Sequence, residues 1–445
     1  MELYAIKING WENPVGFDYG VPQCSWKVRG STGSRQETAR IQVGLDETLQ
    51  KVVFQKEGNL NPLGEALDFP LKPYTRYWYS IAVRSDQGEE ALSRPCFFET
   101  GKLGEPWDGQ WLGVEDGDTH PEFQKTFTLP EKPRSARLYI CGLGLFEAYI
   151  NGEKAGDDLL APLLNDYTEH FQYCTYDVTS LLAEDNTLSV LLGDGWYRGH
   201  FGLGEPTHYD RPLALIAELC MEFADGHRET LCSDSGWQYR GSFTTLSDIY
   251  NGETQDYTKA LGDWKQPVLI SAPGRLCDRY SSPLHYMESI PVKEVIHTPA
   301  GETVLDFGQN FAGHVICTQP LPKGTTMTLE FGEVLQNGNF YHENYRHAES
   351  KFTYVSDGIH REIRPRFTFF GFRYVKISGL ERVDAACFEG RAIYSEMDRT
   401  GFIRTGNEKI NRLFSNSLWG LKSNFLDIPT DCPQRDERLG WTGDA

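Results

Sequence analysis

The sequence predicts a mainly β protein in which tandem β-sandwich modules are followed by one helix and a loop. Short apolar or alternating runs, such as RYWYSIAVRS (76–85) and TLSVLLGDGWY (187–197), are separated by turns of Gly, Pro, Asn and Asp. This is the pattern of strands joined by tight connections. Helical periodicity is almost absent before residue 400. Aromatic residues make up 13% of the chain, a content that favours β structure and sugar-binding surfaces.

Composition and turn signals divide the chain into four segments. The first β-sandwich occupies 1–103 and closes at FFETG (97–101). A larger sandwich occupies 104–288, and a third β block runs through 289–395. The remaining residues, 396–445, begin a helical segment. No low-complexity linker separates these modules, so we expect them to pack against one another.

Within the second module, FEAYING (146–152) predicts a β-hairpin. Its strand pattern ends at Asn151-Gly152. Both residues tolerate the positive φ angles that a two-residue hairpin turn requires. We therefore expect a strand on each side of this turn.

An amphipathic helix is predicted after residue 405. Thr405 and Glu408 have the spacing of a capping box at its start. Pro429 and Pro433 are predicted to end it, because proline lacks the backbone donor. Apolar residues recur at helical spacing at Ile410, Leu413, Phe414, Leu418, Leu421 and Phe425.

This helix needs a partner, because a single helix cannot bury an apolar stripe by itself. Residues 400–445 are therefore expected to be ordered only where they dock on the β modules or on a second chain. No further helix follows in the sequence. The pattern thus predicts the truncated start of a helical domain.

The charge of the chain restricts its partners. The formal charge is −20, from 43 basic and 63 acidic residues. Such a surface repels the phosphate backbone of nucleic acids and anionic membrane surfaces, so we expect neither as a partner. A neutral small molecule or a glycan fits better. The sequence leaves open whether the chain forms a homodimer.

Targeting signals and cysteine usage predict a cytoplasmic protein. The N-terminal MELYAIKING lacks the basic and apolar regions of a signal peptide, and no run of ~18 apolar residues predicts a transmembrane helix. The ten cysteines are scattered singly, with no CxxC pair. This usage predicts reduced thiols and no zinc site. We expect no metal and no organic cofactor.

Functional side chains are concentrated in DCPQRDERLGWTGDA, residues 431–445, which we call the acidic loop. Hydrolysis of a glycosidic bond requires one carboxylic acid to protonate the leaving oxygen, and a second carboxylate to act on water or on the anomeric carbon. Arginines and further acids hold sugar hydroxyls through charge-assisted hydrogen bonds. Charged runs are usually solvated surface loops, but Leu439-Gly440-Trp441 within the charges indicates a cleft wall. The residues alone predict a carbohydrate or acid–base site.

The acidic loop resembles the signature at the start of the catalytic domain of bacterial α-L-rhamnosidases, glycoside hydrolase family 78. Other segments resemble the same family in the same order, and the resemblance covers essentially the whole chain. These segments are INGWENPVGFDYGVPQCSWKV (8–28), YINGEKAGDDLLAPLLNDYTEHFQYCTYDVT (149–179), GDGWYRGHFG (193–202), IYNGETQDYT (249–258), LDFGQNFAGHV (305–315) and FTFFGFRYVKISG (367–379).

The resemblance implies β-sandwich modules that lead into an (α/α)6 barrel. The first module is then fibronectin-III-like, the second is a jelly-roll-like rhamnosidase N-terminal sandwich, and the third is a second rhamnosidase sandwich. Residues 396–445 are the truncated start of the barrel. The implied reaction is hydrolysis of terminal α-L-rhamnosides in a rhamnose-containing glycan or glycoside. It proceeds with inversion, through a single displacement by water.

The same resemblance implies roles for residues of the acidic loop. Glu437 matches the general acid of the family. Asp431, Arg435 and Asp444 match residues that hold the rhamnose hydroxyls, and Trp441 matches the aromatic wall around the sugar.

Asp436 has two interpretations: it supports Glu437, or it shares the role of Glu437. A protonated Glu437 requires desolvation or a nearby negative charge, which Asp436 or Asp444 would supply. The positive charge of Arg435 would instead favour the charged form of Glu437. We therefore expect Arg435 to point towards the substrate and away from Glu437.

The general base of the family is a glutamate far downstream of the acid, on a later part of the barrel. The 445 residues therefore contain the acid and lack the base. This predicts that the chain is a truncated portion of the enzyme, inactive by itself.

Two further clusters are interpreted as structural. Tyr250, Glu253 and Asp256 in IYNGETQDY match a family segment of the second module and are expected to support the fold. YHENYRHAES (341–350) contains two histidines without metal-ligand spacing on a helix, and we predict that it is a loop.

Two alternative functions stay open. One is a non-catalytic carbohydrate-binding β-sandwich protein, but such a module has no reason to contain the acidic loop. The other is an inverting glycosidase of the same architecture that acts on another sugar. No residue of the chain excludes it, because part of the sugar pocket would lie in the missing barrel.

Overall fold

The computed structural model describes residues 1–115, 120–200, 202, 212–272, 274–438 and 440. Most of its regular structure is β-strand, which confirms the predicted fold class. The backbone divides into two compact units. The first contains Met1–Asp108 with Thr175–Asp177, and the second contains Gly109–Cys174 with Val178–Ala445. Across the described ranges, no helix has the length and apolar character needed to span a membrane.

The first unit is built from two antiparallel sheets. Its strands are β1 (Glu2–Ile8), β2 (Gln23–Arg29), β3 (Gln36–Gly44), β4 (Val52–Gly58), β5 (Glu65–Ala66), β6 (Arg76–Ser85), β7 (Glu90–Leu92) and β8 (Cys96–Glu99). One sheet has the order β1-β2-β5, and the other has the order β4-β3-β6-β7 with β8 beside β6. Alternate residues of β3 and β6, among them Ile41, Val43, Tyr77 and Tyr79, are buried in the core, as expected for strands with one buried face.

The second unit begins with the strands of the second predicted module. They are β9 (Trp111–Gly113), β10 (Pro121–Thr128), β11 (Ser135–Leu143), β12 (Leu145–Ile150), β13 (Glu153–Lys154), β14 (His170–Asp177), β15 (Asp185–Gly193), β16 (Ala214–Glu222), β17 (Arg228–Cys232), β18 (Gln238–Gly241), β19 (Thr244–Asp248), β20 (Gly252–Asp256), β21 (Val268–Ile270) and β22 (Arg275–Asp278). A short helix α1 (Gly195–Arg198) follows β15. Two sheets have the orders β13-β12-β15-β10-β18 and β21-β9-β16-β11-β14-β22, with β17 beside β16.

The predicted hairpin lies between β12 and β13. Ile150 pairs with Glu153, and the two turn residues Asn151 and Gly152 have φ angles of 54° and 84°. These are the positive φ angles of the expected two-residue turn. The hairpin prediction is confirmed.

A nine-stranded sheet forms most of the remaining β structure. Its later strands are β23 (Leu284–Pro291), β24 (Glu294–His297), β25 (Thr303–Cys317), β26 (Thr326–Gly332), β29 (Lys351–Val355), β30 (Phe370–Ser378) and β31 (Phe388–Ser395), and a separate hairpin contains β27 (Val334–Gln336) and β28 (Asn339–Tyr341). The order is β19-β20-β29-β26-β30-β25-β31-β23, with β24 beside β25. Its core is rich in phenylalanine, including Phe311, Phe331, Phe370 and Phe372.

The strands β19 and β20 come from the range 104–288 but pair in this nine-stranded sheet. β20 runs parallel to β29, with Gly252 opposite Lys351. A Cβ atom on Gly252 would lie 1.9 Å from the carbonyl oxygen of Lys351, so only glycine permits this approach. The turn at 249–251 is thereby placed next to the segment that precedes β29.

The predicted helix is present as α2 (Glu408–Ser423), but both of its ends differ from the prediction. The cap is Asn407, whose side chain accepts from the amide of Lys409 at 2.9 Å. The hydroxyl of Thr405 instead contacts Asn411 at 3.1 Å. The capping-box prediction is therefore wrong, because Asn407 is the better-placed acceptor.

The helix also ends before the prolines that were predicted to end it. The amide of Asn424 donates to the carbonyls of Gly420 and Leu421, which closes α2. A short pair of strands follows, β32 (Phe425–Leu426) and β33 (Ile428–Pro429). Pro429 thus belongs to this turn, and the helix ends at Asn424, whose backbone leaves the helical region with a φ of −107° and a ψ of 16°.

Docking of α2 covers part of its surface. Trp419 packs against the core of the nine-stranded sheet, and Lys422 contacts the carboxylate of Glu288 in β23. Ile410 and Leu413 stay 48% and 65% exposed. The helix therefore uses Trp419 and its polar face, and not its whole apolar stripe, to contact the β structure.

The second module is joined to the nine-stranded sheet by a buried network around Glu147 of β12. Its carboxylate accepts from Arg364 at 2.7 Å and from the hydroxyl of Tyr149 at 2.6 Å, and it also contacts Arg366. Burial alone would raise the pKa of Glu147, but the charges of Arg364 and Arg366 lower it overall. Glu147 therefore stays charged and compensates two arginines of the segment before β30.

We predict that Glu147→Gln lowers the free energy of unfolding by about 3–5 kcal/mol, because it removes the buried carboxylate that both Arg364 and Arg366 contact. Calorimetric unfolding at neutral pH measures the effect. Glu153→Gln, at an exposed position of the same hairpin, is the matched control and should change the value by less than about 0.5 kcal/mol. Equal, small effects of both substitutions would show that the network does not join the two sheets.

Candidate active site

The acidic loop has no regular secondary structure in its described part, and it is entered through the turn between β32 and β33. Asp427 in this turn has a φ of 73°, in the left-handed region that aspartate tolerates better than most residues. Its amide donates to Ser395 Oγ at 2.9 Å, and its carboxylate accepts from the amide of Leu164 at 2.8 Å. The approach to the loop is thereby fixed to both the nine-stranded sheet and the second module.

The far end of the described loop is fixed by Arg438, which is 1% exposed. Its Nη1 donates to the carbonyl oxygens of Ile249 and Phe369 at 2.6 and 3.0 Å. Its guanidinium also lies over the rings of Tyr250 and Phe369, at 5.3 and 4.5 Å from their centres. Burial lowers the pKa of Arg438, and the carbonyl dipoles and ring faces compensate its charge.

Tyr250 positions the backbone of Glu437. Its hydroxyl donates to the carbonyl oxygen of Glu437 at 2.8 Å and accepts from the amide of Gly202 at 3.1 Å. Burial raises the pKa of Tyr250 to about 12, so the hydroxyl keeps its proton near neutral pH. The hydroxyl of Tyr250 thus contacts the backbone of Glu437 and not its carboxylate. This contact agrees with the expected structural role of Tyr250.

The carboxylate of Glu437 is faced by two arginines. Nη1 of Arg346 lies 2.8 Å from its Oε2, and Nη2 of Arg435 lies 3.8 Å from the same oxygen. The side chain of Glu437 is 15% exposed. The Glu437 carboxylate therefore forms an ion pair with Arg346 and lies close to Arg435.

Arg346 belongs to the segment 341–350, which the sequence predicts only as a loop. The structure has a loop there with one 3₁₀ turn, Glu343–Tyr345. Sequence reasoning missed that the next two residues, Arg346 and His347, contact the acidic loop. The spacing of these two residues in the sequence does not predict this contact, because the contact depends on the parallel pairing of β20 with β29.

Asp436 lies beside Glu437 and is 4% exposed. Its Oδ2 accepts from the amide of His347 at 3.3 Å and lies 3.0 Å from Nδ1 of the same residue. A second histidine, His200, lies nearby, with its Nδ1 2.6 Å from Asp248. The hydrogen bond to Asp248 raises the pKa of His200, and the charge of Asp436 adds to this effect.

Asp431 and Arg435 form an ion pair with each other. Nη2 of Arg435 lies 2.9 Å from Oδ2 of Asp431, and Nε of Arg435 lies 3.1 Å from the sulfur of Cys432. The structure differs from the expectation that Arg435 points away from Glu437, because Asp431 holds the guanidinium between the two carboxylates. Asp431 and Glu437 therefore contact one nitrogen atom of Arg435.

The other predicted residues fall into two groups. Trp441 and Asp444 lie outside the described residues. Glu253 is buried and accepts from the amides of Arg366 and Phe367 at 2.9 and 2.8 Å. It serves the fold, as expected.

Asp256 also serves the fold. Its carboxylate accepts from the amide of Thr258 at 2.9 Å and from its hydroxyl at 2.6 Å. This contact forms a local turn after β20, away from the acidic loop.

The three acids of the described loop differ in how far their carboxylates are exposed to a bound molecule. The side chains of Asp431 and Asp436 are 7% and 6% exposed, and each has a close cationic or histidine partner. Glu437 is the most exposed of the three, and its backbone is fixed by Tyr250. Of these acids, Glu437 is therefore the one best placed to transfer a proton to a ligand.

We predict that Asp427→Asn stabilises the protein at neutral pH. Burial raises the pKa of Asp427 to about 6 from 3.8, so the folded state retains this proton in a range where the unfolded state loses it. In the wild type, the contribution of protonated Asp427 to the free energy of unfolding is complete below about pH 4 and is lost as the pH rises to about 6. Asparagine keeps a neutral side chain, accepts from Leu164 and tolerates the positive φ.

The measurement is the difference in unfolding free energy between Asp427→Asn and the wild type. This difference should grow by about 2–3 kcal/mol between pH 4 and pH 7. Asp225→Asn, at an exposed acid whose pKa is lowered, is the control and should not show growing stabilisation. A difference that does not depend on pH would contradict the burial of an ionisable Asp427.

The sequence matches four family models in succession. They are the Rha78A-like N-terminal immunoglobulin domain (residues 3–104), the alpha-L-rhamnosidase N-terminal domain (131–293), the bacterial alpha-L-rhamnosidase concanavalin-like domain (296–394) and the bacterial alpha-L-rhamnosidase 6 hairpin glycosidase domain (398–445). Together these matches cover most of the chain. The last of them includes the acidic loop.

Relatives and solved structures agree with the family models. An alpha-L-rhamnosidase of Alteromonas sp. (strain LOR) is 30% identical over 98% of this chain and 52% of its own length. One of Streptomyces avermitilis is 37% identical over 73% of this chain and 33% of its own length. The solved structure of the native rhamnosidase of Aspergillus terreus superposes with a TM-score of 0.91 at 29% identity, and covers 99% of this chain and 55% of its own.

A second solved structure, the alpha-L-rhamnosidase of Dictyoglumus thermophilum, has a TM-score of 0.90 at 30% identity. It matches 100% of this chain and 54% of its own. The chain spans about half the length, or less, of these relatives. On the family models, the relatives and the shared fold together, this chain belongs to the bacterial α-L-rhamnosidase family.

Proposed function

We propose that this chain supplies the general acid, Glu437, of an enzyme that hydrolyses terminal α-L-rhamnosides with inversion of configuration. The observation that carries the proposal is the position of Glu437. Its backbone is fixed by Tyr250, and its carboxylate is more exposed than those of Asp431 and Asp436. The names of the family's relatives support the substrate class.

In this mechanism Glu437 gives its proton to the glycosidic oxygen as the bond to the anomeric carbon breaks. A water molecule, deprotonated by a general base, attacks the opposite face of that carbon. The leaving alcohol gains the proton of Glu437, and the base gains a proton from water. Each turnover therefore ends with Glu437 charged, and the acid must be reprotonated before the next one.

The contact between Arg346 and Glu437 has a consequence for this mechanism. A general acid must hold a proton, whereas an arginine at 2.8 Å stabilises the carboxylate. We propose that this ion pair describes the charged state of Glu437 and opens when Glu437 is protonated. Arg346 lies in a loop and its side chain is 38% exposed, so its guanidinium has access to solvent when the ion pair opens.

We assign supporting roles to the neighbouring residues. Asp431 and Arg435 form a rigid pair whose free donor and acceptor atoms face sugar hydroxyls. Asp436 is held by His347 and supports the loop beside Glu437. Trp441 and Asp444 complete the sugar pocket by their resemblance to the family.

The general base is proposed to lie outside residues 1–445. Inversion requires a base roughly 6.5–9.5 Å from the acid, with a water molecule between the two carboxyl groups. Asp431 and Asp436 are nearly buried and are held by Arg435 and His347, so neither carboxylate is exposed enough to activate such a water. We therefore propose that the 445-residue chain is inactive by itself.

We predict that Glu437→Gln, in a version of the chain extended through a complete barrel, loses activity according to the leaving group. With a rhamnosyl disaccharide, whose leaving sugar needs protonation, kcat should fall about 100- to 10,000-fold. With 4-nitrophenyl α-L-rhamnoside, whose leaving group is acidic, the loss should be less than about tenfold. Glu408→Gln, at an exposed acid on α2, is the control and should behave as the wild type.

The outcome that contradicts the acid role is an equal loss on both substrates, which would indicate a role in binding. Inversion is tested on the wild type by proton NMR, in which the first product formed should be the β anomer of rhamnose. Activity of the 445-residue chain itself would contradict the proposed location of the base. Hydrolysis of other glycosides in preference to rhamnosides would overturn the substrate class.

A further inference from the structure

Arg346 contacts the carboxylate of the proposed acid and is itself partly exposed. Its Nη1 lies 2.8 Å from Glu437 Oε2, and its side chain is 38% exposed. A general acid lies about 2.6–3.2 Å from the oxygen that it protonates. The guanidinium therefore lies within roughly 8 Å of the glycosidic oxygen, whichever carboxyl oxygen of Glu437 donates. At this distance Arg346 is close enough to contact a sugar joined through that oxygen.

The acids around Glu437 have partners of their own. These pairs are Asp431 with Arg435 at 2.9 Å, Asp436 with His347 at 3.0 Å, and Asp248 with His200 at 2.6 Å. Asp436 also lies 4.0 Å from Arg346, but it already accepts from the amide of His347 and faces the ring of the same residue. Among the residues that the structure describes, Glu437 is thus the one carboxylate within hydrogen-bond distance of Arg346.

Protonation of Glu437 removes the close counter-charge of Arg346. A neutral carboxylic acid forms no ion pair, whereas a guanidinium stays charged throughout the pH range in which proteins work. A cation that loses its partner turns to water or to another anion, and the exposure of Arg346 permits both. Rhamnose has no charged group. An anion in the substrate can therefore come only from the leaving group.

We propose that Arg346 binds a carboxylate of the leaving group, so that the preferred substrates carry an acidic sugar, a uronate, joined to the rhamnose. The planar fork of a guanidinium matches the two oxygens of a carboxylate. The substrate carboxylate takes the place of Glu437 in the ion pair, and Glu437 keeps its proton for the glycosidic oxygen. The inference rests on the proposed role of Glu437 and goes beyond it, because hydrolysis itself requires no charge on the leaving group.

Binding to the 445-residue chain tests this exchange without hydrolysis. The probes are methyl glucuronide and methyl glucoside, which differ only in the carboxylate, titrated by ligand-observed NMR at an ionic strength of about 0.15 M. Glu437→Gln removes the group that competes for Arg346, so it should tighten binding of the glucuronide at least fivefold. It should not tighten binding of the glucoside. Adding Arg346→Gln to this variant should abolish the gain.

The matched control is Glu2→Gln, which removes the carboxylate of another arginine–glutamate pair. Arg29 lies 2.7 Å from Glu2 in that pair, on the first unit. This substitution should leave binding of the glucuronide unchanged. An affinity for the glucuronide that does not rise in Glu437→Gln, or that rises equally in the double variant, would overturn the inference.

Hydrolysis by the extended enzyme separates the inference from the proposed function. The substrates are rhamnosyl-glucuronate and rhamnosyl-glucose with the same linkage. We expect kcat/KM to be about tenfold higher for the glucuronate, equivalent to about 1.4 kcal/mol. Arg346→Gln should lower kcat/KM at least tenfold more for the glucuronate than for the glucose compound.

The two failures have different signatures. Equal kcat/KM values for both disaccharides in the wild type would overturn the inference and leave Glu437 as the acid. Failure of the proposed function would instead appear as hydrolysis of neither disaccharide.

Discussion

The acidic loop has no regular secondary structure, so its shape depends on contacts with the β structure around it. The buried guanidinium of Arg438 is the main contact, because it joins the loop to the carbonyl groups of Ile249 and Phe369. Those carbonyls come from two segments that are far apart in sequence, the turn between β19 and β20 and the residue before β30. The β modules are therefore more than spacers before a catalytic domain, since they fix the residue that we propose as the acid.

The same sheet brings the charged partners to the loop. The close approach of β20 and β29, which Gly252 permits, brings the segments that contain Tyr250 and Arg346 together at Glu437. Tyr250 holds the backbone, and Arg346 holds the carboxylate. The position of Glu437 is thus set by residues that lie about 90 to 190 positions earlier in the chain, and not only by its neighbours in the acidic loop.

Local patterns in the sequence predict local structure well. The alternating strands, the Asn151-Gly152 hairpin and the amphipathic helix all depend on neighbouring residues, and the structure has each of them. The helix ends were missed because two acceptors, Thr405 and Asn407, compete for the cap, and geometry decides between them. Arg346, His347 and Arg438 were missed as parts of the site for a different reason. Their contacts depend on sheet pairing, which no spacing in the sequence shows.

The central claim is that the β modules position Glu437 for proton transfer. The most direct measurement is kcat of Tyr250→Phe in the extended enzyme with a rhamnosyl disaccharide, since this change removes only the hydroxyl that holds the Glu437 carbonyl. The account predicts that kcat falls about tenfold, equivalent to about 1.4 kcal/mol, while KM and Tm change little. Tyr4→Phe, at an exposed position of the first unit, is the control. A kcat equal to that of the wild type would contradict the account.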